Sequence, residues 1–258
     1  MRFTKMHGVG NDFLIFDPGE VEGEDLPALA RRVCERRFGV GADGILVPER
    51  SEEADLRMVY LNSDGSEAEM CGNGIRCLAR YAFDYELADG DSLAVETGAG
   101  VKEISVFEDG SSRVEMGAPA FEPEVALEGY TFRRVSMGNP HAVAFLETEK
   151  AVEELDLREI GPRIERDPAF PNGANVEFVH MRDGHSLRMR IFERGAGETL
   201  ASGTGSCAVA AAALRLGLAA SPVEVELDGG VVRVEWTGGE SPVYMKGPAE
   251  YVCEGELL

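Results

Sequence analysis

Basic residues are scarce: 25 lysines and arginines stand against 47 aspartates and glutamates, a formal net charge of −22. So acidic a surface repels nucleic acid and anionic membranes, and neither is expected as a partner. The acidic residues are spread along the chain, which reads as solubility or a salty cytoplasm and not as a docking patch. Long hydrophobic runs are missing as well, with no stretch of about 18 apolar residues to span a bilayer. The opening Met1-Arg2-Phe3-Thr4-Lys5 lacks the apolar stretch of a signal peptide, so the expected location is the cytoplasm. Cysteine occurs five times (Cys34, Cys71, Cys77, Cys207, Cys253), without the spacing of a disulfide framework or a zinc site. Reduced thiols and no bound metal are the expectation. The four histidines are scattered, and His180 and His185 flank a hairpin turn at Asp183-Gly184.

What the chain does have is 258 residues, 44% of them hydrophobic, enough for full cores in one large domain or two of ordinary size. It also writes one phrase twice. Met70-Cys71-Gly72-Asn73-Gly74-Ile75-Arg76-Cys77 and Ala201-Ser202-Gly203-Thr204-Gly205-Ser206-Cys207 are both small-residue loops that run into helical segments. The match extends outward. Val95 to Val101 sits opposite Val225 to Val231, Met116-Gly117-Ala118-Pro119-Ala120 resembles Met245-Lys246-Gly247-Pro248-Ala249, and Met6 to Asn11 has a looser counterpart in Met137 to His141. Each half opens with alternating apolar strands (Phe13 to Phe16, Ala142 to Leu146), reaches its glycine loop, runs a helix and returns to strands. Two similar α/β domains in tandem are expected, 1–118 and 119–248, joined near Ala118 to Glu124 where Pro119 and Pro123 bracket a turn-prone stretch. The helix after Gly74 carries an apolar stripe, and the one from Cys207 to Leu218 is apolar almost all round, so each should run through the middle of its domain. Further helices are expected from Leu26 to Arg37 and from Leu155 to Glu165, the latter interrupted at Gly161-Pro162.

A glycine loop feeding a helix aims backbone N–H groups and the positive helix end at one point, which binds anions and favours thiolates. Cys71 is therefore the candidate base or nucleophile, its thiol pKa lowered by its place at a helix N-terminus. Its bland reading is a small buried hydrophobe. Ser202, at the matching mouth, does not ionise usefully without a base beside it, and capping its helix is the better local reading. Asn11, Asn62, Asn139, His141, Asn175, Glu193 and Arg194 lie in loops or at strand entrances. Each taken singly is a turn residue. Asn62 and Glu193 hold matching positions ahead of the two loops, which points to a shared pocket.

These segments resemble the pyridoxal-independent diaminopimelate epimerases. The resemblance rests on His7-Gly8-Val9-Gly10-Asn11-Asp12-Phe13, Asn62-Ser63-Asp64-Gly65-Ser66, Met70-Cys71-Gly72-Asn73-Gly74, Met137-Gly138-Asn139-Pro140-His141 and Glu193-Arg194-Gly195-Ala196-Gly197-Glu198-Thr199. These run in family order through most of the chain. The resemblance implies an α/β (α+β) fold of two pseudo-symmetric domains, each a sheet wrapped around a central helix, with the substrate in the cleft between them. The C-terminal segment 249–258 would then complete the first domain. It implies interconversion of LL- and meso-diaminopimelate in lysine and peptidoglycan precursor synthesis, with no cofactor and no metal, by a homodimer. Carried onto this sequence, Cys71 and the Ser202 position are the two acid–base groups, and His141 and Glu193 tune them. Gly72, Asn73, Gly203 and Thr204 grip the α-carboxylate, Asn11, Asn62, Asn139, Asn175 and Glu193 bind substrate, and Arg194 takes the distal carboxylate.

The chain departs from the family pattern in two places. Ser202 stands where a second cysteine is expected, and Gly44 lacks a side chain that some members use near the substrate. Three explanations of the serine stand side by side: an engineered replacement, a natural variant whose hydroxyl, polarised by Glu193 or His141, exchanges protons slowly, or divergence to a related reaction. The alternatives to an epimerase are another cofactor-independent amino-acid racemase, isomerase or dehydratase, or a catalytically silent amino-acid-binding protein.

Overall fold

The computed structural model describes residues 1–88 and 90–258. They divide into two compact units, Met1–Val114 with Gly247–Leu258, and Glu115–Lys246. In chain order the first unit holds strands β1 (Arg2–Gly8) and β2 (Asn11–Ile15), helix α1 (Leu26–Val33), and strands β3 (Gly44–Glu49) and β4 (Leu56–Asn62). Helix α2 (Gly72–Asp84) and strands β5 (Ser92–Thr97), β6 (Gly100–Val106) and β7 (Ser111–Gly117) follow, the last crossing the boundary. The second begins with β8 (Ala120–Leu127), β9 (Tyr130–Ser136) and β10 (Pro140–Phe145), then α3 (Glu149–Glu153) and α4 (Leu157–Glu165). It continues with β11 (Asn175–Met181), β12 (Ser186–Glu193), β13 (Gly197–Thr199), α5 (Gly203–Arg215), β14 (Val223–Leu227), β15 (Gly230–Glu235) and β16 (Val243–Pro248), whose last two residues fall in the first unit. The final strand, β17 (Glu250–Glu256), pairs antiparallel with β1 in the first unit.

The duplication reaches the level of strand register. In the first unit the pairing order is β17-β1-β2-β3-β4-β5-β6-β7, with β2–β3 and β4–β5 parallel and the other pairs antiparallel. In the second it is β8-β9-β10-β11-β12-β14-β15-β16, with β10–β11 and β12–β14 parallel. Leu56 faces Val95 as Leu187 faces Val225, and Val95 faces Lys102 as Val225 faces Val232. Each parallel β4–β5 and β12–β14 step needs a long crossover, and the buried helix supplies it. Helix α2 packs on β1, β2, β3 and β6, and α5 on β9, β10, β11, β14 and β15. Met116 and Met245 are not equivalent, however: Ile104 pairs with Val114 where Val234 pairs with Met245, so Val114 holds the methionine's place.

Three local expectations are corrected. Helix α1 ends at Val33, not Arg37, because the chain folds back and the Val33 carbonyl accepts the N–H groups of both Val40 and Gly41 at 2.9 Å. A Cβ at Gly39 would lie 2.4 Å from the Arg32 carbonyl oxygen, so only glycine permits that return. Helix α4 runs unbroken through Gly161-Pro162, and the Phe192 ring lies 2.3 Å from where a Cβ at Gly161 would stand. Residues 120–127 form strand β8 and not a linker. Pro123 falls at the register shift between Glu122 and Val125, where a missing N–H removes no ladder bond. The His180–His185 stretch is the hairpin turn expected, joining β11 to β12.

Candidate active site

Cys71 and Ser202 cap their helices in the same way. Cys71 has φ −138° and ψ 120°, Ser202 φ −143° and ψ 120°, and each side chain accepts the N–H of the third residue on. The distances are 3.4 Å from Gly74 to the Cys71 sulfur and 3.2 Å from Gly205 to the Ser202 hydroxyl. The first-turn amides of Gly72 and Asn73, and of Gly203 and Thr204, have no carbonyl behind them within their helices. An anionic carboxylate is what such a turn accommodates.

Around the first mouth the polar groups form a chain. Asn11 Nδ2 donates to Asp43 at 2.7 Å, while Asn11 Oδ1 lies 3.2 Å from Asn73 Nδ2 and 3.5 Å from the Cys71 sulfur. Asn73 Oδ1 accepts from Arg76 at 3.0 Å, and Arg76, fully buried, also donates to the carbonyls of Gly72 at 2.9 Å and Pro248 at 3.3 Å. Asp43 is held in turn by Arg36 at 2.8 Å, which also binds Asp12, itself 2.9 Å from Lys5. Burial alone would raise the Asp12 pKa, but its bonds to Arg36 and Lys5 hold it below the ordinary aspartate value. The neighbouring thiols are of another kind. Burial pushes Cys77 up to about 12, and burial with the nearby Asp12 and Asp43 takes Cys34 to about 12. Both are packing groups at neutral pH.

The second mouth has a matching chain of different composition. Asn139 Nδ2 donates to the Thr204 hydroxyl at 3.2 Å, His141 Nε2 lies 2.9 Å from Asn139 Oδ1, and His141 Nδ1 lies 2.6 Å from Glu177. His141 and Glu177 are fully buried, and burial pushes the Glu177 carboxyl up while His141 draws it down. Strand register explains the substitution. His141 beside Asn175 repeats Phe13 beside Gly44, and Val143 beside Glu177 repeats Ile15 beside Leu46. An apolar pair in one unit has become an imidazole–carboxylate pair in the other. At the helix the exchange runs the opposite way, because the position of Arg76 is Cys207 in the second copy.

The remaining expected residues fall at the same ends of the strands. Asn62 accepts from Tyr60 at 2.8 Å and donates to Ser66 at 3.0 Å, and Glu193 accepts from Thr199 at 2.6 Å. Asn175 bonds backbone at both ends of its amide, to the Pro140 carbonyl at 3.2 Å and the Arg194 N–H at 3.0 Å, and so braces three strand ends. Arg194 donates to the Asn172 carbonyl at 2.9 Å, and among the described residues no carboxylate pairs with its guanidinium. Gly44 has no room for a side chain: a Cβ would lie 2.5 Å from the Leu61 carbonyl and 2.7 Å from the Tyr60 ring. Sequence reading missed Asp43, Arg76 and Glu177. Only the Arg76 position, inside the repeated phrase and unlike its counterpart, carried a signal. Among the described residues no His, Cys, Asp or Glu cluster could hold a metal ion, and no helix is long and apolar enough to cross a membrane.

Comparison with known proteins gives the family of the chain. The family model described as diaminopimelate epimerase matches twice, over residues 3–122 and 133–252, once for each half. A diaminopimelate epimerase of Moorella thermoacetica is 46% identical over the whole chain and 99% of its own length. One of Acetivibrio thermocellus is 44% identical over the whole chain and 98% of its length. Among solved structures, a phenazine biosynthesis protein of the PhzF family from Bacillus anthracis superposes with a TM-score of 0.79, covering 100% of this chain and 99% of that one at 22% identity. At that identity the likeness speaks for the fold alone.

Proposed function

The chain belongs to the diaminopimelate epimerase family, and from that premise we propose that it inverts one α-carbon of diaminopimelate, interconverting the LL- and meso-isomers without a cofactor. The observation that carries the reading is the pair of equivalently capped helix mouths, Cys71 on α2 and Ser202 on α5. An amino-acid α-hydrogen is a poor acid, so its removal depends on electrostatic stabilisation of the carbanion. The first-turn amides at Gly72-Asn73 and Gly203-Thr204 would hold the α-carboxylate and take up part of the developing charge. Cys71 removes or returns the proton as thiolate or thiol, and the Ser202 position serves the opposite transfer. Arg194, which among the described residues has no carboxylate partner, suits the distal carboxylate as a bidentate donor. Asn11, Asn62 and Asn139 orient the substrate, and His141 and Glu193 tune the Ser202 mouth.

A hydroxyl is a far weaker acid than a thiol, so the second mouth is the slow one. Solvent deuterium entering the α-position of each diaminopimelate isomer, followed for this chain and for Ser202→Cys, tests the reading. Inversion in both marks a working epimerase, and inversion only in the cysteine variant marks Ser202 as the limiting group. A cysteine variant that neither exchanges nor inverts any isomer would sink the assignment. From the same resemblance we infer a homodimer in the cytoplasm, and light scattering of the purified chain checks the homodimer.

A further inference from the structure

We infer that Arg76 is a positioning residue that sets the surroundings of the Cys71 thiol and favours its ionisation. The inference rests on the reading of Cys71 as an acid–base group. A guanidinium can only donate, so Arg76, 3.0 Å from Asn73 Oδ1, makes that oxygen the acceptor and turns the Asn73 NH2 toward Asn11. A carboxylate can only accept, so Asp43, 2.7 Å from Asn11 Nδ2, turns the Asn11 oxygen back toward Asn73 and Cys71. Two anchors of opposite kind thus lock two amides in one direction. The strand above is shaped to the same guanidinium: a Cβ at Gly8 would stand 2.9 Å from Arg76 Nη2. The second unit has no such lock, because Cys207 replaces the arginine and the Thr204 hydroxyl donates or accepts equally well.

Losing the guanidinium has two effects of one sign. A buried positive charge that favours a thiolate disappears, and Asn73 is released from Asn11. The Asn11 oxygen then has one donor fewer and accepts the Cys71 S–H more strongly. Both effects keep the proton on sulfur. Among the described residues the polar network of this site continues through Asp43 ahead of β3 to Asp12 on β2 with its partners Arg36 and Lys5, while His7 on β1 pairs with Glu250 on β17. Cys77, on the same helix, stays protonated. Substitution at Arg76 leaves these groups in place, and because the Arg76 charge draws the Cys77 pKa down against burial, its loss only holds Cys77 protonated more firmly.

Alkylation by iodoacetamide, resolved by peptide mass spectrometry across the neutral and alkaline range, reads the Cys71 titration without substrate. For Arg76→Met the midpoint should rise by about one pH unit, which slows alkylation about tenfold below it. Arg76→Lys keeps the charge but loses the fork, and should slow it about threefold. Unreactive Cys77 and an unchanged circular dichroism spectrum certify the fold. A folded Arg76→Met with the parent midpoint overturns the inference. Should Arg76→Met not fold, Arg76→Lys with the parent midpoint overturns it. Because no substrate is involved, failure of the epimerase reading leaves this result standing, and failure here leaves that reading untouched.

Discussion

The two helix mouths share a backbone plan and differ in where their charge is kept. In the first unit a guanidinium on the helix, Arg76, stands behind the cap, and the strand positions beneath are the apolar Phe13 and Leu46. In the second unit the helix position is Cys207, and the strands carry His141 and Glu177 in its stead. A duplicated fold can thus conserve the cap, the register and the small residues while moving its buried charge from one element to another. The guanidinium stays charged at every working pH, whereas an imidazole–carboxylate pair can exchange protons. The fixed charge accompanies the thiol, and the titratable pair accompanies the hydroxyl.

The largest test of that asymmetry is chemical. Cys71→Ala should abolish α-deuterium exchange, a loss of at least about a thousandfold, whereas Ser202→Ala should change it little. Ser202→Cys should raise the inversion rate by about a hundredfold or more. Equal losses from the two alanine variants would erase the distinction between the mouths.

Next comes the buried pair, which can be rewritten in the image of the first unit. His141→Phe or Glu177→Leu alone leaves one polar partner stranded and should cost about 3–5 kcal/mol. The double substitution restores the apolar row and should lie within about 2 kcal/mol of the parent. Urea unfolding followed by the single tryptophan, Trp236, reports on the unit concerned. Additive losses in the double variant would argue that the pair does not act as one.

A smaller difference separates the paired glycines of the first turns. A Cβ at Gly205 would lie 2.9 Å from Ile191 and 3.1 Å from Ser202, whereas at Gly74 the nearest atom is the Phe13 ring at 3.3 Å. Gly205→Ala should cost about 1–3 kcal/mol by overpacking. Gly74→Ala should be close to neutral, because the gain in helix propensity offsets the tighter contact. Thermal melts of the two variants compare them directly.

The smallest effect is in acid. Asp12 is held below its ordinary pKa, so the stability it contributes is present above the unfolded-state value and is lost as pH falls through the folded one. Asp12→Asn should therefore be less stable than the parent by about 1 kcal/mol at neutral pH, and the gap should close in strong acid. The second unit has no counterpart cluster at that position, since Pro140 occupies it. A gap that persists in strong acid would show that packing, not charge, explains Asp12.

Much of this molecule could be read before its structure. The repeated phrase located both helix mouths, because a cap, two glycines and an apolar run leave few alternatives to a helix start. The apolar stripes announced central helices for the same reason. Local periodicity failed where a distant partner decided the outcome. The Val33 carbonyl closes α1 early on Val40 and Gly41, and α4 runs on across Pro162 with Gly161 packed against the Phe192 ring. Glu177 could not be found, since alternate apolar strand residues give no sign that one position has turned polar in the core.

By itself, then, the sequence determined the duplication, the two mouths and the identity of the groups at them, because each is written in neighbouring residues. Only the tertiary structure decided which polar side chains serve those mouths. Arg76 reaches Asn11 through Asn73, and Glu177 reaches Asn139 through His141. The first chain joins helix α2 to strand β2 and the second joins β10 to its neighbour β11, so the packing of elements far apart in the sequence brings their members together.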